Sequence, residues 1–273
     1  MGSAFLKGGC GFAGACGTPA GVLTRAEDAK ALTPVREAIG GQAADSPPGN
    51  KGIADRPMIP RSSIRPRPRL YILTPAVSDG AALSGVLAEI FRAVDVAAVL
   101  LRLPDADERS LINKVKAAAG GVQGAGAALL VDGRPDIVAR AGADGAHLAG
   151  PDALQAAVRT LKPNYIAGAG GLRGRHDAMV AAEAGADYVM FGEPDAASHH
   201  PSRDAVIERV AWWAEVFEIP CVGYATALDD IDALVAAGAD FVAVGDALFD
   251  DPRGPKAAAA DAAARLKVTE TAT

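Results

Sequence analysis

The chain has 273 residues, of which 50% are hydrophobic and 5% aromatic, and its formal net charge is -6. This length fits one α/β barrel of roughly 250 residues with a terminal appendage. The acidic balance argues against a nucleic-acid partner, and no apolar run approaches the ~18 residues that a membrane span requires. Because Cys10, Cys16 and Cys221 form neither a disulfide framework nor a zinc motif, we expect a reducing, cytoplasmic location.

Residues 1–68 differ in composition from the rest of the chain. They are rich in Gly, Pro, Ser and Arg and show no sustained hydrophobic period. Such a segment buries too little apolar surface to fold alone. We therefore divide the chain into a low-order N-terminal extension, 1–68, a barrel domain, 69–267, and a short C-terminal tail, 268–273.

From residue 69 onward, short apolar runs alternate with amphipathic stretches, the pattern of a parallel sheet covered by helices. The predicted strands are 70–74, 97–103, 127–132, 145–148, 165–169, 188–192, 221–224 and 241–245. The predicted helices are 81–93, 105–119, 134–141, 152–161, 174–184, 203–217, 228–237 and 254–266.

The tetrapeptide Ala-Gly-Ala-Asp recurs at 141–144, 184–187 and 237–240, each time between a predicted helix and a predicted strand. Glycine just past a helix adopts the left-handed conformation at little cost, so each copy predicts a helix end that leads into a buried strand. Eight such strand–helix units predict a closed (β/α)8 TIM barrel. An open doubly wound sheet would show a glycine-rich turn after its first strand, whereas this chain has Thr-Pro-Ala-Val at 74–77.

In a barrel, functional groups lie at the carboxyl ends of the strands. Arg102 falls inside the second predicted strand, where a buried guanidinium needs a partner. Arg102 therefore predicts either bidentate hydrogen bonds to a phosphate or carboxylate ligand or an ion pair at the rim of the barrel. Asp132 and Asp152 follow neighbouring strands and could hold Mg²⁺ together with diphosphate oxygens. Their alternatives are turn formation by Asp132 and a helix-dipole role for Asp152.

Other polar positions near strand ends have a structural alternative to a functional role. His147 lies on a short strand and is either a hydrogen-bonded structural histidine or a catalytic one. The glycine run around Gly170 either lets a ligand approach the backbone or forms a flexible loop. His199 and His200, in the loop that carries Ser198, indicate a solvent-exposed turn rather than a metal site.

Several segments taken together resemble one known family. These segments are Arg-Leu-Tyr-Ile-Leu-Thr at 69–74, Val-Asp-Gly-Arg-Pro-Asp-Ile-Val at 131–138, Gly-Ala-Asp-Gly-Ala-His-Leu at 142–148, Gly-Ala-Asp-Tyr-Val-Met-Phe-Gly at 185–192 and Gly-Ala-Asp-Phe-Val-Ala-Val at 238–244. The series is similar to thiamine phosphate synthase and its TenI relatives over about residues 69–250. The resemblance implies that hydroxymethylpyrimidine diphosphate loses pyrophosphate and that a thiazole phosphate captures the resulting cation. It also implies Mg²⁺, phosphorylated heterocycles as ligands and a possible homodimer.

The resemblance implies roles for residues near the first strands. The family's Gln-Leu-Arg-Glu-Lys motif keeps only its Arg, as Arg102, and the Asn-Asp-Arg motif reads Asp132, Gly133 and Arg134. The second metal-binding Asp corresponds to Asp152. We therefore assign substrate binding to Arg102, Asp132, Arg134 and His147, and metal binding to Asp132 and Asp152.

Further family positions are replaced in the later loops. The family's serine after strand 5 is Gly170, its Thr-x-Thr-Lys loop contains Ser198, its Gly-Gly pair ends at Thr226, and its Val-Ser pair begins at Gly245. These four residues complete the predicted substrate-binding set. Because several phosphate-handling groups are replaced, two other functions stay open: an impaired or regulatory relative, and a different small-molecule enzyme on the same barrel.

Overall fold

The computed structural model describes residues 67–76, 79–194 and 199–267. Residues 1–66 of the predicted extension, the tail 268–273 and the candidate residue Ser198 lie outside the described residues. No helix in the described ranges is long and apolar enough to cross a bilayer.

Eight parallel strands form a closed barrel in which each strand pairs with its neighbours in sequence, and the last pairs with the first. The strands are β1 Arg69–Leu73, β2 Val96–Leu101, β3 Ala128–Asp132, β4 Gly145–Ala149, β5 Ile166–Gly170, β6 Tyr188–Phe191, β7 Cys221–Ala225 and β8 Phe241–Val244. The predicted TIM barrel is therefore confirmed.

Helices follow the strands and cover the outside of the barrel, where their apolar faces bury the main core. Among the described residues they are α1 Gly80–Ala93, α2 Glu108–Gly124, α3 Val138–Ala141, α4 Pro151–Leu161, α5 Arg175–Glu183, α6 Arg203–Val216, α7 Asp230–Ala236, α8 Asp246–Phe249 and α9 Pro255–Arg265. All eight predicted helices form. The additional helix, α8, has four residues, which is too short to produce a hydrophobic period in the sequence.

Strand β2 ends at Leu101, two residues before its predicted end. The N–H of Arg102 donates to Oγ1 of the buried Thr74 at 3.1 Å, and the N–H of Thr74 donates to the carbonyl of Leu100 at 3.0 Å. Pro104 follows and has no N–H to extend the ladder. Arg102 therefore lies directly after β2, at the end of the barrel, and not within the strand as predicted.

The three Ala-Gly-Ala-Asp copies have the same structural role. Their glycines have φ values of 72°, 101° and 92° at Gly142, Gly185 and Gly238, so all three adopt the left-handed conformation that the sequence predicts. The aspartate carboxylates then accept backbone N–H groups near the start of an adjacent strand. These bonds are Leu129 N to Asp144 at 2.7 Å, Ala167 N to Asp187 at 2.7 Å and Cys221 N to Asp240 at 2.8 Å.

A second, smaller core fills the barrel interior with residues of alternate positions from the strands, among them Leu100, Leu130 and Met190. Successive side chains on a strand point to opposite faces. Extending this alternation to the carboxyl ends directs five of the predicted site residues inward: Arg102, Asp132, His147, Gly170 and Gly245. The fold therefore turns these positions toward one opening, which we call the mouth: the carboxyl ends of the eight strands.

Candidate functional site

Four side chains at the mouth form a group that we call the mouth cluster: Arg102, Asp132, His147 and Glu193. Asp132 and His147 are register partners on β3 and β4. The charges of Arg102, His147 and Glu193 all act on Asp132. Three of the predicted substrate-binding residues are thus brought together, and Glu193 joins them from the loop after β6.

His147 lies at the centre of a buried hydrogen-bonded chain. Its Nδ1 lies 2.8 Å from the Tyr188 hydroxyl, and its Nε2 lies 3.2 Å from Oε2 of Glu193. The Tyr188 hydroxyl in turn lies 2.9 Å from that of Tyr71. Because both ring nitrogens have protein partners, His147 holds its neighbours in place and has no free nitrogen for a substrate.

The two tyrosines of the hydrogen-bonded series, Tyr71 and Tyr188, fit inside the barrel because Gly168 has no side chain. A Cβ at Gly168 would overlap with the Tyr188 ring. Tyr188 therefore reaches across the barrel interior to Tyr71, with the two ring centroids 5.9 Å apart. Burial raises the pKa of Tyr71 and of Tyr188, so both hydroxyls stay protonated and available as donors.

Glu193 is fixed by both of its oxygens. Oε2 faces His147, and Oε1 accepts the backbone N–H of Gly171. A Cβ at Gly170 would overlap with Oε1 of Glu193 and with Nε2 of His147. The carboxylate and the imidazole can occupy these positions because Gly170 has no side chain.

The ionisable groups of the mouth cluster shift one another's pKa values. Burial would lower the pKa of His147, but the charge of Glu193, their hydrogen bond and the charge of Asp132 outweigh it, so the pKa of His147 is raised. Burial raises the pKa of Asp132, and Glu193 adds to that effect against the opposing charges of His147 and Arg102. Two acidic side chains thus lie close to a histidine and a guanidinium.

Two other predicted residues lie outside the mouth cluster. Arg134 forms a two-pronged ion pair with Asp136, with contacts of 3.0 and 2.8 Å, and its side chain is one-third exposed. Asp152 lies in the first turn of α4. Arg134 is therefore already paired at the rim, and Asp152 occupies the position that the helix-dipole interpretation predicts.

The β7 and β8 ends carry the remaining predicted residues. Thr226 is exposed and lies beside Arg203 and Asp230, which form an ion pair. Gly245 is buried, and a Cβ there would come within 2.8 Å of the Tyr224 hydroxyl. Burial raises the pKa of Tyr224, with the charge of Asp246 adding to the effect.

A cavity of about 810 Å³ opens on the β4–β6 side of the mouth. Glu193 and Asp152 lie on its wall, as do two cationic residues, Arg173 and Arg209, and two histidines, His199 and His200. Its size suits a small-molecule ligand. The cavity therefore offers a carboxylate on its inner wall and guanidinium groups farther out.

Within the described ranges, no group of three His, Cys, Asp or Glu side chains could hold a metal ion unaided. Mg²⁺ usually takes only one or two carboxylates and fills its remaining positions with water and substrate phosphates. Asp132 fits that requirement from inside the mouth. Asp152 offers a second carboxylate from the cavity wall.

Sequence reasoning did not assign Tyr71, Tyr188, Tyr224 or Glu193 to the substrate-binding set. The three tyrosines occupy inward positions before the ends of their strands. Inward alternation could have identified them as interior residues. Their contacts span up to 117 positions of sequence, however, so no local pattern could reveal the hydrogen-bonded chain.

The closed barrel defines the chain as a TIM barrel, with its candidate site at the end where enzymes of this fold bind substrates. A family model described as thiamine monophosphate synthase matches residues 70–248. The chain therefore belongs to the thiamine monophosphate synthase family.

Relatives of known name agree with this assignment. The chain is 39% identical over 196 residues to thiamine-phosphate synthase of Rhodospirillum centenum, covering 71% of this chain and 95% of that one. It is 36% identical to the Hyphomonas neptunium enzyme of the same name, with coverage of 71% and 91%. Thiamine phosphate pyrophosphorylase of Pyrococcus furiosus superposes with a TM-score of 0.61 at 21% identity, over 73% of this chain and 96% of that chain. This last likeness bears on the fold alone.

Proposed function

We propose that the chain joins hydroxymethylpyrimidine diphosphate to thiazole phosphate and releases pyrophosphate, as a thiamine phosphate synthase. The observation that carries the proposal is the convergence of Arg102, Asp132 and His147 at the mouth of a barrel of this family. The ligands are then phosphorylated heterocycles and the location is the cytoplasm. We also propose that the chain forms a homodimer.

Arg102 binds the departing diphosphate. Its backbone is fixed by the bond to Thr74, and its side chain is half-buried at the end of β2. A guanidinium held in this way can form two parallel hydrogen bonds to phosphate oxygens. As the carbon–oxygen bond breaks, negative charge grows on the leaving oxygen, and a preorganised cation stabilises that charge.

Mg²⁺ is proposed as the second cation of the diphosphate. Because two acidic side chains, Asp132 and Glu193, lie close to Arg102, this guanidinium alone leaves most of the diphosphate charge uncompensated. Asp132 and Asp152 would hold the ion, which when bound would neutralise phosphate oxygens and so favour departure of pyrophosphate. Arg134 would contact the ligand only by giving up part of its ion pair with Asp136.

The thiazole phosphate is assigned to the β7 and β8 ends. Thr226 offers a hydroxyl and Gly245 a strand end without a side chain. Asp246 directly follows Gly245, and its negative charge disfavours a phosphate in contact with it. We therefore propose that the thiazole phosphate binds near Thr226 and Gly245, on the side away from Asp246.

The acidic side chains of the mouth cluster also support a second candidate. A site that contains acidic as well as cationic side chains attracts a polyanion less than a purely cationic site does. A neutral or cationic substrate would fit such a mouth without a metal. This second candidate is a different small-molecule enzyme on the same barrel.

Growth complementation tests the proposal. The chain is expressed in a thiamine auxotroph that lacks its own synthase, beside Arg102→Ala and the exposed control Arg109→Ala. We expect growth with the original chain and with Arg109→Ala, and loss of growth with Arg102→Ala. Absence of growth with the original chain at full soluble expression would reject the synthase and favour the second candidate.

A further inference from the structure

We propose that Glu193 recognises the aminopyrimidine ring of the substrate and that its charge stabilises the positive charge which develops on that ring. The inference rests on the proposed synthase function. It concerns a residue that the family motifs quoted above do not contain, and it follows from how the carboxylate is held.

Glu193 retains unused acceptor capacity toward the cavity. An ionised carboxylate offers about four lone-pair positions, and the structure uses one for His147 and one for Gly171. The side chain is 12% exposed and lies on the cavity wall. The carboxylate therefore retains acceptor capacity at the wall of the space in which a ligand would bind.

The chemistry of the Glu193 carboxylate limits which ligand groups it can contact. An ionised carboxylate only accepts hydrogen bonds, so its ligand partner must be an N–H or O–H donor or a cation. A phosphate oxygen at the same place would be repelled. The β5–β6 side of the mouth thus suits the amino edge of a ring, and the diphosphate is directed toward Arg102.

Glycine at position 170 makes this arrangement possible. Any side chain there would overlap with Glu193 and His147. A serine at this position would therefore require Glu193 and His147 to move from the positions that they occupy here. The carboxylate takes the place of the hydroxyl, and it brings a negative charge that the hydroxyl lacks.

That charge acts most strongly during bond cleavage. The bond from the ring's methylene carbon to the diphosphate oxygen breaks, and both electrons leave with the oxygen. The thiazole nitrogen then donates its lone pair to the carbon, so no proton or redox partner is needed. Between these events the ring and its amino group carry positive charge, and a hydrogen bond to Glu193 strengthens in that state.

Calorimetry with the unphosphorylated aminopyrimidine alcohol and its analogue without the amino group tests the recognition apart from turnover. The proteins are the original chain, Glu193→Gln, Glu193→Ala and the exposed control Glu183→Gln. We expect Glu193→Ala to weaken binding of the amino ligand about 10- to 100-fold, the range for a charged hydrogen bond. Binding of the analogue should be equally weak to every variant.

Equal weakening of both ligands by Glu193→Ala would mean that Glu193 only supports the fold of the mouth, and it would overturn the inference. Unchanged binding of the amino ligand would overturn it as well. If the amino ligand binds in a Glu193-dependent way but the original chain gives no product, the recognition stands and the synthase function fails. With turnover, Glu193→Gln should lower kcat at least 10-fold with little change in KM, and a loss confined to KM would contradict the charge effect.

Discussion

The two ends of the barrel use carboxylates in opposite ways. At the amino ends of the strands, Asp144, Asp187 and Asp240 each accept a backbone N–H and so join one strand–helix unit to the next. At the mouth, Asp132 is close to the charges of Arg102 and His147, and Glu193 lies on the wall of a cavity. The first set serves the fold and repeats with it, whereas the second does not repeat. In this chain the carboxylates that recur with the repeat therefore support the fold, and the carboxylates outside the repeat belong to the candidate site.

The largest expected effect on activity, apart from loss of Arg102, comes from a single methyl group at the mouth. Gly170→Ala places a Cβ against Glu193 and His147, so both side chains must move. We expect kcat/KM for thiamine phosphate formation to fall about 100-fold, since small misplacements of a site can cost that much. The control is Gly85→Ala, which adds a methyl group to α1 where nothing lies within 4 Å. Similar activity of both variants would contradict the close packing described for the mouth.

A change at the opposite end should affect stability instead. Asp144→Ala removes the acceptor of the Leu129 N–H and of the Gln123 amide, in a place where the aspartate is 5% exposed. We expect the free energy of unfolding to fall by about 1–3 kcal/mol, the cost of an unsatisfied buried donor. Urea unfolding measures this loss.

The exposed Asp105→Ala is the matched control, and its unfolding should be close to that of the original chain. Folded Asp144→Ala should retain normal kcat and KM. A large loss of activity at temperatures where this variant is fully folded would break the distinction between the two ends.

The smallest effect concerns the dependence of stability on pH. The folded pKa of His147 lies above its ordinary 6.5, so the folded state binds its proton more tightly than the unfolded state does. The stabilising contribution is fully present below pH 6.5 and is lost as the pH rises through the folded pKa. The difference in unfolding free energy between the original chain and His147→Gln should therefore shrink over that range. A difference that grows with pH would show that His147 is buried in its neutral form.

Much of this architecture could be predicted from local patterns. The glycine and aspartate of each Ala-Gly-Ala-Asp copy act within a few residues of their own helix, so the sequence alone located the helix ends and strands. Position near the carboxyl end of a predicted strand likewise assigned Arg102, Asp132 and His147 to the same end of the barrel. Strand β2 was predicted too long because Thr74, which directly follows β1, accepts the N–H of Arg102.

The contacts that distinguish the mouth could not be found in this way. Glu193 meets His147 across 46 positions, and Tyr188 meets His147 across 41. Arg134, by contrast, was selected by family motif, but its guanidinium pairs with Asp136 only two residues away. Whether a charged group faces a ligand or a neighbour depends on distances between elements, which the order of residues does not contain.

The most direct test of the account is product formation by the purified full chain. Hydroxymethylpyrimidine diphosphate and thiazole phosphate are supplied with Mg²⁺, and thiamine phosphate and pyrophosphate are quantified together. We predict equal amounts of the two products from the original chain and from Arg109→Ala, with a fall of at least about 100-fold for Arg102→Ala, the range for removal of a transition-state charge partner. No thiamine phosphate from a folded original chain, or undiminished product from Arg102→Ala, would contradict it.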